Sequence, residues 1–125
     1  MTGTLMLLTL ASDLAAELQR VTHKFPPEEK FVTIPQLRDE ALSIMENTAY
    51  GMADFHLIHR FRFLMRAKRH LESLNSHLVL IRTTRLVNTR DLWTLEEQYG
   101  TLKIHLIAMI DALQKAILKP SDMSP

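Results

Sequence analysis

Six histidines, fourteen acidic residues and no cysteine bound the chemistry open to this 125-residue chain. His56 and His59 lie three apart, a spacing that sets two imidazoles on one helical face, where they can share a metal ion. The only acid beside them is Asp54, which reads as the cap of the helix starting there. The pair is therefore taken as surface or interface histidines, and no metal site is assigned. His70 and His77, seven apart, share a face and read as packing or interface residues, while His23 and His105 stand alone. A di-iron or di-manganese centre in a helical bundle requires Glu-x-x-His pairs on facing helices, and the chain has none. Without cysteine there is no thiol nucleophile and no thiolate zinc site. Three glycines build neither a phosphate-binding loop nor a dinucleotide fingerprint, and no Gly-x-Ser-x-Gly occurs. The chain reads as a binding protein without catalytic residues or cofactor.

Charge is more informative. The whole chain carries only +1, with pI about 8.1, but Phe55–Arg90 holds eight basic residues: Arg60, Arg62, Arg66, Lys68, Arg69, Arg82, Arg85 and Arg90. Glu72 is the one acid among them. At about 100° per residue, Arg62, Arg66 and Arg69 fall within roughly 60° of one another and opposite the Leu64–Leu71 stripe. They form an outward column whose planar donor forks suit phosphates, which makes all eight basic residues candidates for nucleic-acid contact. An acidic protein surface would suit the same column. Plain solvation, balanced by acids such as Asp13, Glu17, Asp39, Glu40, Glu96 and Glu97, is the third reading.

The elements that position these residues are helices. Apolar residues at Leu7, Leu10, Leu14, Leu18, Val21 and Phe25 predict a first helix over 5–24, stopped by Pro26-Pro27. Ile34, Leu37, Ala41, Ile44 and Thr48 predict a second over 34–51, with Pro35 in its first turn and Gly51 at its end or at a kink. Leu57, Phe61, Leu64, Ala67, Leu71, Leu74, Leu78 and Ile81 predict a long third helix over 54–85, capped by Asp54. The fourth, over 89–118, has Asn88 or Thr89 as its cap, a stripe from Leu92 through Tyr99 to Ile117, and Pro120 as its stop. Ser121–Pro125 reads as a loose tail. No segment alternates as a strand does, and the connections are short, so the fold class is all-α: one domain, an antiparallel up-down four-helix bundle.

Phe55, Phe63, Met65, Trp93, Ile104 and Ile107 lie off or beside the stripes, surplus to a monomer's core, and are assigned to an oligomer interface. The run Leu5–Leu10 lacks a preceding cationic segment and continues a helical period into Asp13 and Glu17, so it reads as helix rather than signal peptide. With no cysteine to oxidise and no membrane-length apolar run, the expected compartment is the cytoplasm.

Gln36-Leu37-Arg38, Ala41, Ser43-Ile44, Asn47, Ala49 and Gly51 resemble the Gln-Leu-Arg-x-x-Ala-x-Ser-Ile-x-x-Asn-x-Ala-x-Gly pattern of the four-helix-bundle proteins encoded in 23S rRNA intervening sequences. Arg62-Phe63-Leu64, Ala67-Lys68, Leu71 and Leu74 continue the likeness, which spans about residues 12–117. The chain departs from that pattern at Ile44-Met45, where the family has Ile-Pro, and at Ala49-Tyr50-Gly51-Met52. The same fold group includes the accessory variability determinants of diversity-generating retroelements. By resemblance, members assemble as ring-like pentamers, and those determinants bind nucleic acid and a reverse transcriptase through a basic surface. The resemblance thus implies a non-enzymatic, homo-oligomeric accessory protein that binds structured RNA or RNA–DNA beside a reverse transcriptase. The alternative is a protein-interaction module of the intervening-sequence type that binds no nucleic acid.

Overall fold

The computed structural model describes residues 3–119, with helices α1 (Gly3–Thr22), α2 (Thr33–Ala53), α3 (Leu57–Thr84) and α4 (Thr89–Leu118), and a short 3-10 turn at Pro27–Glu29. No strand occurs among the described residues. The expected stop at Pro120 and the tail 121–125 lie outside them.

Residue pairings show the direction of packing. Between α2 and α3, Gln36 meets His77, Glu40 meets His70 and Tyr50 meets Phe63, so one number rises as the other falls. Arg82 with Glu96 joins α3 to α4, and Arg20 with Asp91 joins α1 to α4. Consecutive helices therefore pack antiparallel, and α4 closes the bundle against α1. The predicted stripes supply the core: Leu7, Leu14, Leu18 and Val21 from α1, Leu37 and Ile44 from α2, Leu64, Leu71, Leu74 and Ile81 from α3, and Leu95, Leu102 and Leu106 from α4 are all sealed from solvent. Each such leucine contributes about 1.5–3 kcal/mol over an exposed one, set against the entropy of ordering the chain.

The helix ends shift from their predicted places for local reasons. α1 stops at Thr22, where the N–H groups of Lys24 and Phe25 turn back onto the carbonyls of Val21 and Thr22, and the Phe25 ring still reaches the core. α2 runs through Gly51 to Ala53, so Gly51 does not end the helix. It is a buried point of close approach: a methyl group there would lie 2.8 Å from Leu64 Cδ2 and 3.2 Å from Phe63 Cβ. α3 starts at Leu57 rather than at 54, because Asp54 and His56 are extended. Leu57 consequently lies exposed, outside the core stripe assigned to it. The Asn88 side chain accepts the N–H of Asp91 at 2.8 Å and caps α4 as expected.

Asp91 ties the two ends together. It is buried at the start of α4, where Arg20 Nη2 (2.7 Å) from the last turn of α1 and Lys24 Nζ (3.1 Å) from the turn after it donate to its carboxylate. Those two hydrogen bonds, Arg20 foremost, hold the Asp91 carboxyl below the usual carboxylate range.

Candidate nucleic-acid interface

α3 presents four sides, and its basic residues divide among them. The core side carries Leu64, Ala67, Leu71, Leu74, Leu78 and Ile81. Toward α2, His70 Nδ1 lies 2.9 Å from Glu40 Oε2, Ser73 donates to the same carboxylate, and His77 Nε2 lies 3.2 Å from Gln36 Oε1. Toward α4, Arg82 is bonded to Glu96, which raises the guanidinium's pKa, and Lys68 sits 3.8 Å from Glu72 within its own helix. The outward side holds Arg62, Arg66 and Arg69, all exposed.

None of these three has an ion-pair partner among the described residues. Of the acids offered for balance, Glu17 pairs with Arg20, Glu40 with His70 and Glu96 with Arg82, while Asp13, Asp39 and Glu97 form no ion pair with the strip among the described residues. Three guanidinium groups along one helix at rises of about 6 and 4.5 Å make a linear cationic strip.

Arg85 and Arg90 are exposed and also lack an ion-pair partner among the described residues, but they sit at the other end of the helix. Arg85 is the left-handed C-cap of α3 (φ 56°, ψ 39°), its N–H donating to the Ile81 carbonyl, and Arg90 opens α4. Sixteen residues separate Arg69 from Arg85, roughly 24 Å of helix. The predicted cluster of eight thus resolves into a strip and a remote pair. Lys68 and Arg82 are paired, and Arg60 is half-buried with its Nε enclosed and without a hydrogen-bond partner.

An aromatic pair flanks the strip. The rings of Tyr50 on α2 and Phe63 on α3 lie 5.6 Å apart at 51°, and the Arg66 guanidinium sits 5.4 Å from the Phe63 centroid. Tyr50 is exposed, so a flat polar-edged ring stands beside the Phe63 ring that Arg66 contacts. Sequence reasoning missed Tyr50, because it lies thirteen residues from Phe63 and only the α2–α3 pairing joins them. Spacing within one helix carries no signal for it.

The interface candidates also separate. Phe55 is 96% exposed, Ile104 69% and Trp93 64%, and Trp93 and Ile104 share the outward face of α4. Phe63, Met65 and Ile107 are half-buried; Phe63 is engaged with Tyr50 and Arg66, and Met65 packs on the core.

At the start of α3, Asp54 does not cap the first turn. Its Oδ1 accepts the N–H of His56, two residues on, at 2.8 Å, forming a turn that leads into the helix. That bond, before all other influences, keeps the Asp54 carboxyl below its ordinary range. Both histidine rings lie beside the same carboxylate.

A model of the family described as 23S rRNA-intervening sequence protein matches residues 4–108. A solved structure of a protein of unknown function from the S23 ribosomal protein family of Bacteroides thetaiotaomicron superimposes with a TM-score of 0.80. The two chains are 15% identical, over 88% of this chain and 99% of that one, a likeness of fold. No curated protein matches the chain. Among the described residues, no helix is long and apolar enough to cross a membrane.

Proposed function

Because the chain belongs to the 23S rRNA-intervening sequence protein family, we propose that it is a non-catalytic accessory protein that binds RNA and acts as an oligomer. One observation carries this reading: Arg62, Arg66 and Arg69 form an exposed strip without carboxylate partners, beside the Tyr50–Phe63 pair. Free guanidinium forks bind phosphates, and an exposed aromatic ring offers a stacking surface to an unpaired base. Together they favour structured RNA with unpaired nucleotides, or an RNA–DNA intermediate, over a smooth duplex. The family's name, tied to an intervening sequence of 23S rRNA, agrees with an RNA ligand.

Three phosphate contacts per subunit give weak binding, and a ring multiplies them along one polymer. Phe55, Trp93 and Ile104 supply the subunit contacts in this reading, with a pentamer as the expected ring. By likeness to accessory variability determinants, a reverse transcriptase is the proposed protein partner, in the cytoplasm.

Fluorescence anisotropy with single-stranded RNA, an RNA hairpin, DNA and an RNA–DNA hybrid tests the reading. The parent binds the RNA-containing probes at low salt, Arg62/Arg66/Arg69→Glu abolishes binding, and Tyr50→Ala weakens binding to single strands more than to duplex. For three single-strand contacts, the slope of log affinity against log salt is about −2 per subunit. A parent protein that binds no polynucleotide at low salt overturns the proposal and leaves the strip to an acidic protein partner.

A further inference from the structure

The α2–α3 connection brings together three metal-ligating side chains that the basic strip does not use. We propose that Asp54, His56 and His59 form a binding site for a divalent transition-metal ion of the zinc class.

The geometry is that of groups sharing an ion. His56 Nδ1 lies 3.3 Å from Asp54 Oδ1, and His59 Nδ1 lies 3.4 Å from Asp54 Oδ2. One ligand atom from each of the three residues lies within 4.8 Å of the others. Zinc bound at about 2.0–2.2 Å in a tetrahedron holds its ligands about 3.3–3.6 Å apart, whereas a direct N–H···O bond centres near 2.9 Å. Both nitrogen–oxygen separations fall in the first range, one to each oxygen of the Asp54 carboxylate, and the 3.3 Å pair also meets the reach of a long hydrogen bond. The two rings, 4.9 Å apart by centroid and inclined at 43°, converge on the carboxylate rather than stack on each other.

The local backbone holds this arrangement. His56 is the extended residue just before α3 and His59 lies in its first turn, and both rings face the Asp54 carboxylate. The His56 N–H donates to Asp54 Oδ1 at 2.8 Å and orients the carboxylate, the outer support that ligating carboxylates commonly have. Both histidines are exposed and border an open cleft of about 520 Å³ with Ile58, Arg62 and Ile117, so an ion can enter and retain water at its remaining positions.

Chemistry selects the ion. Two imidazoles with one carboxylate suit zinc, copper, nickel or cobalt, whereas magnesium and calcium require mostly oxygen. Arg62 on the next turn opposes a cation, but its guanidinium is exposed, so the high dielectric of water weakens the repulsion.

The test is calorimetric titration of the tag-free 125-residue chain with zinc chloride. The expected result is one zinc per chain, a raised melting temperature reversed by chelator, and no response to magnesium. His56→Ala/His59→Ala, two exposed changes, should weaken binding at least tenfold while leaving the circular-dichroism spectrum unchanged. In the parent, zinc should move the ring resonances of His56 and His59 and leave those of His23, His70, His77 and His105 in place. No binding at millimolar zinc, equal binding by the double variant, or movement of the other four histidines instead overturns the proposal.

Discussion

Gly51 provides the sharpest test of how α2 meets α3. Alanine is the better helix former in an interior position by about 0.5–1 kcal/mol, so helix propensity alone favours Gly51→Ala. The added methyl would meet Leu64 Cδ2 at 2.8 Å, Leu64 Cγ at 3.1 Å and Phe63 Cβ at 3.2 Å. Leu64 is fully buried and has little room to retreat, and overpacking of this kind costs about 1–3 kcal/mol. The net expectation is a loss of up to about 2 kcal/mol. Leu64→Ala alone should cost about 2–5 kcal/mol through its cavity. In the double variant the Gly51→Ala methyl enters space that Leu64 has left, so the propensity gain survives and the clash does not. The double variant should therefore be more stable than the sum of the single effects requires, by about 1–3 kcal/mol. Urea unfolding followed by circular dichroism, at one fixed protomer concentration so that any assembly weighs equally on every variant, measures all four corners of the cycle. Additive effects, or a stabilising Gly51→Ala single variant, would refute the close approach of the two helices.

Three further outcomes follow from the same contacts. Leu71→Ala should cost about 2–5 kcal/mol, whereas Arg66→Ala, on the solvent side of the same helix, should change stability by less than about 0.5 kcal/mol; equal losses in urea melts would place both on one side. The Asp91 carboxyl titrates lower folded than unfolded, so its contribution is fully present above the ordinary aspartate value near 4 and is lost as pH falls through the lower folded value. Asp91→Asn keeps the backbone N–H that Asn88 caps, lowers stability at pH 7 and flattens that acid limb; an unchanged pH–stability curve would remove Arg20 and Lys24 from the account. Light scattering at micromolar concentration should return a mass above the 14.4 kDa of one chain, and Trp93→Asp/Ile104→Asp should lower it toward that value; a monomeric parent would refute assembly through the exposed apolar face.

The outward strip of Arg62, Arg66 and Arg69 was legible in the sequence because it rests on spacing within one helix, where about 3.6 residues per turn fixes which side chains share a face. The four core stripes and the Asn88 cap were legible for the same reason, since each depends on neighbours within a few residues. Gly51 was read as an end or a kink, and the helix continues past it, because glycine within a helix and glycine at its terminus look alike until the facing Leu64 is in place. Arg60 and Arg82 were grouped with the strip because charge composition does not reveal which side faces the core or Glu96. The Tyr50–Phe63–Arg66 stack required the antiparallel register of α2 and α3, and the gathering of Asp54, His56 and His59 required the extended backbone between those helices. Sequence alone determined that this chain is four amphipathic helices with an arginine row on the third, because periodicity is local. Tertiary structure decided which charges remain free and which rings meet them, because those depend on the rotation and register of one helix against another.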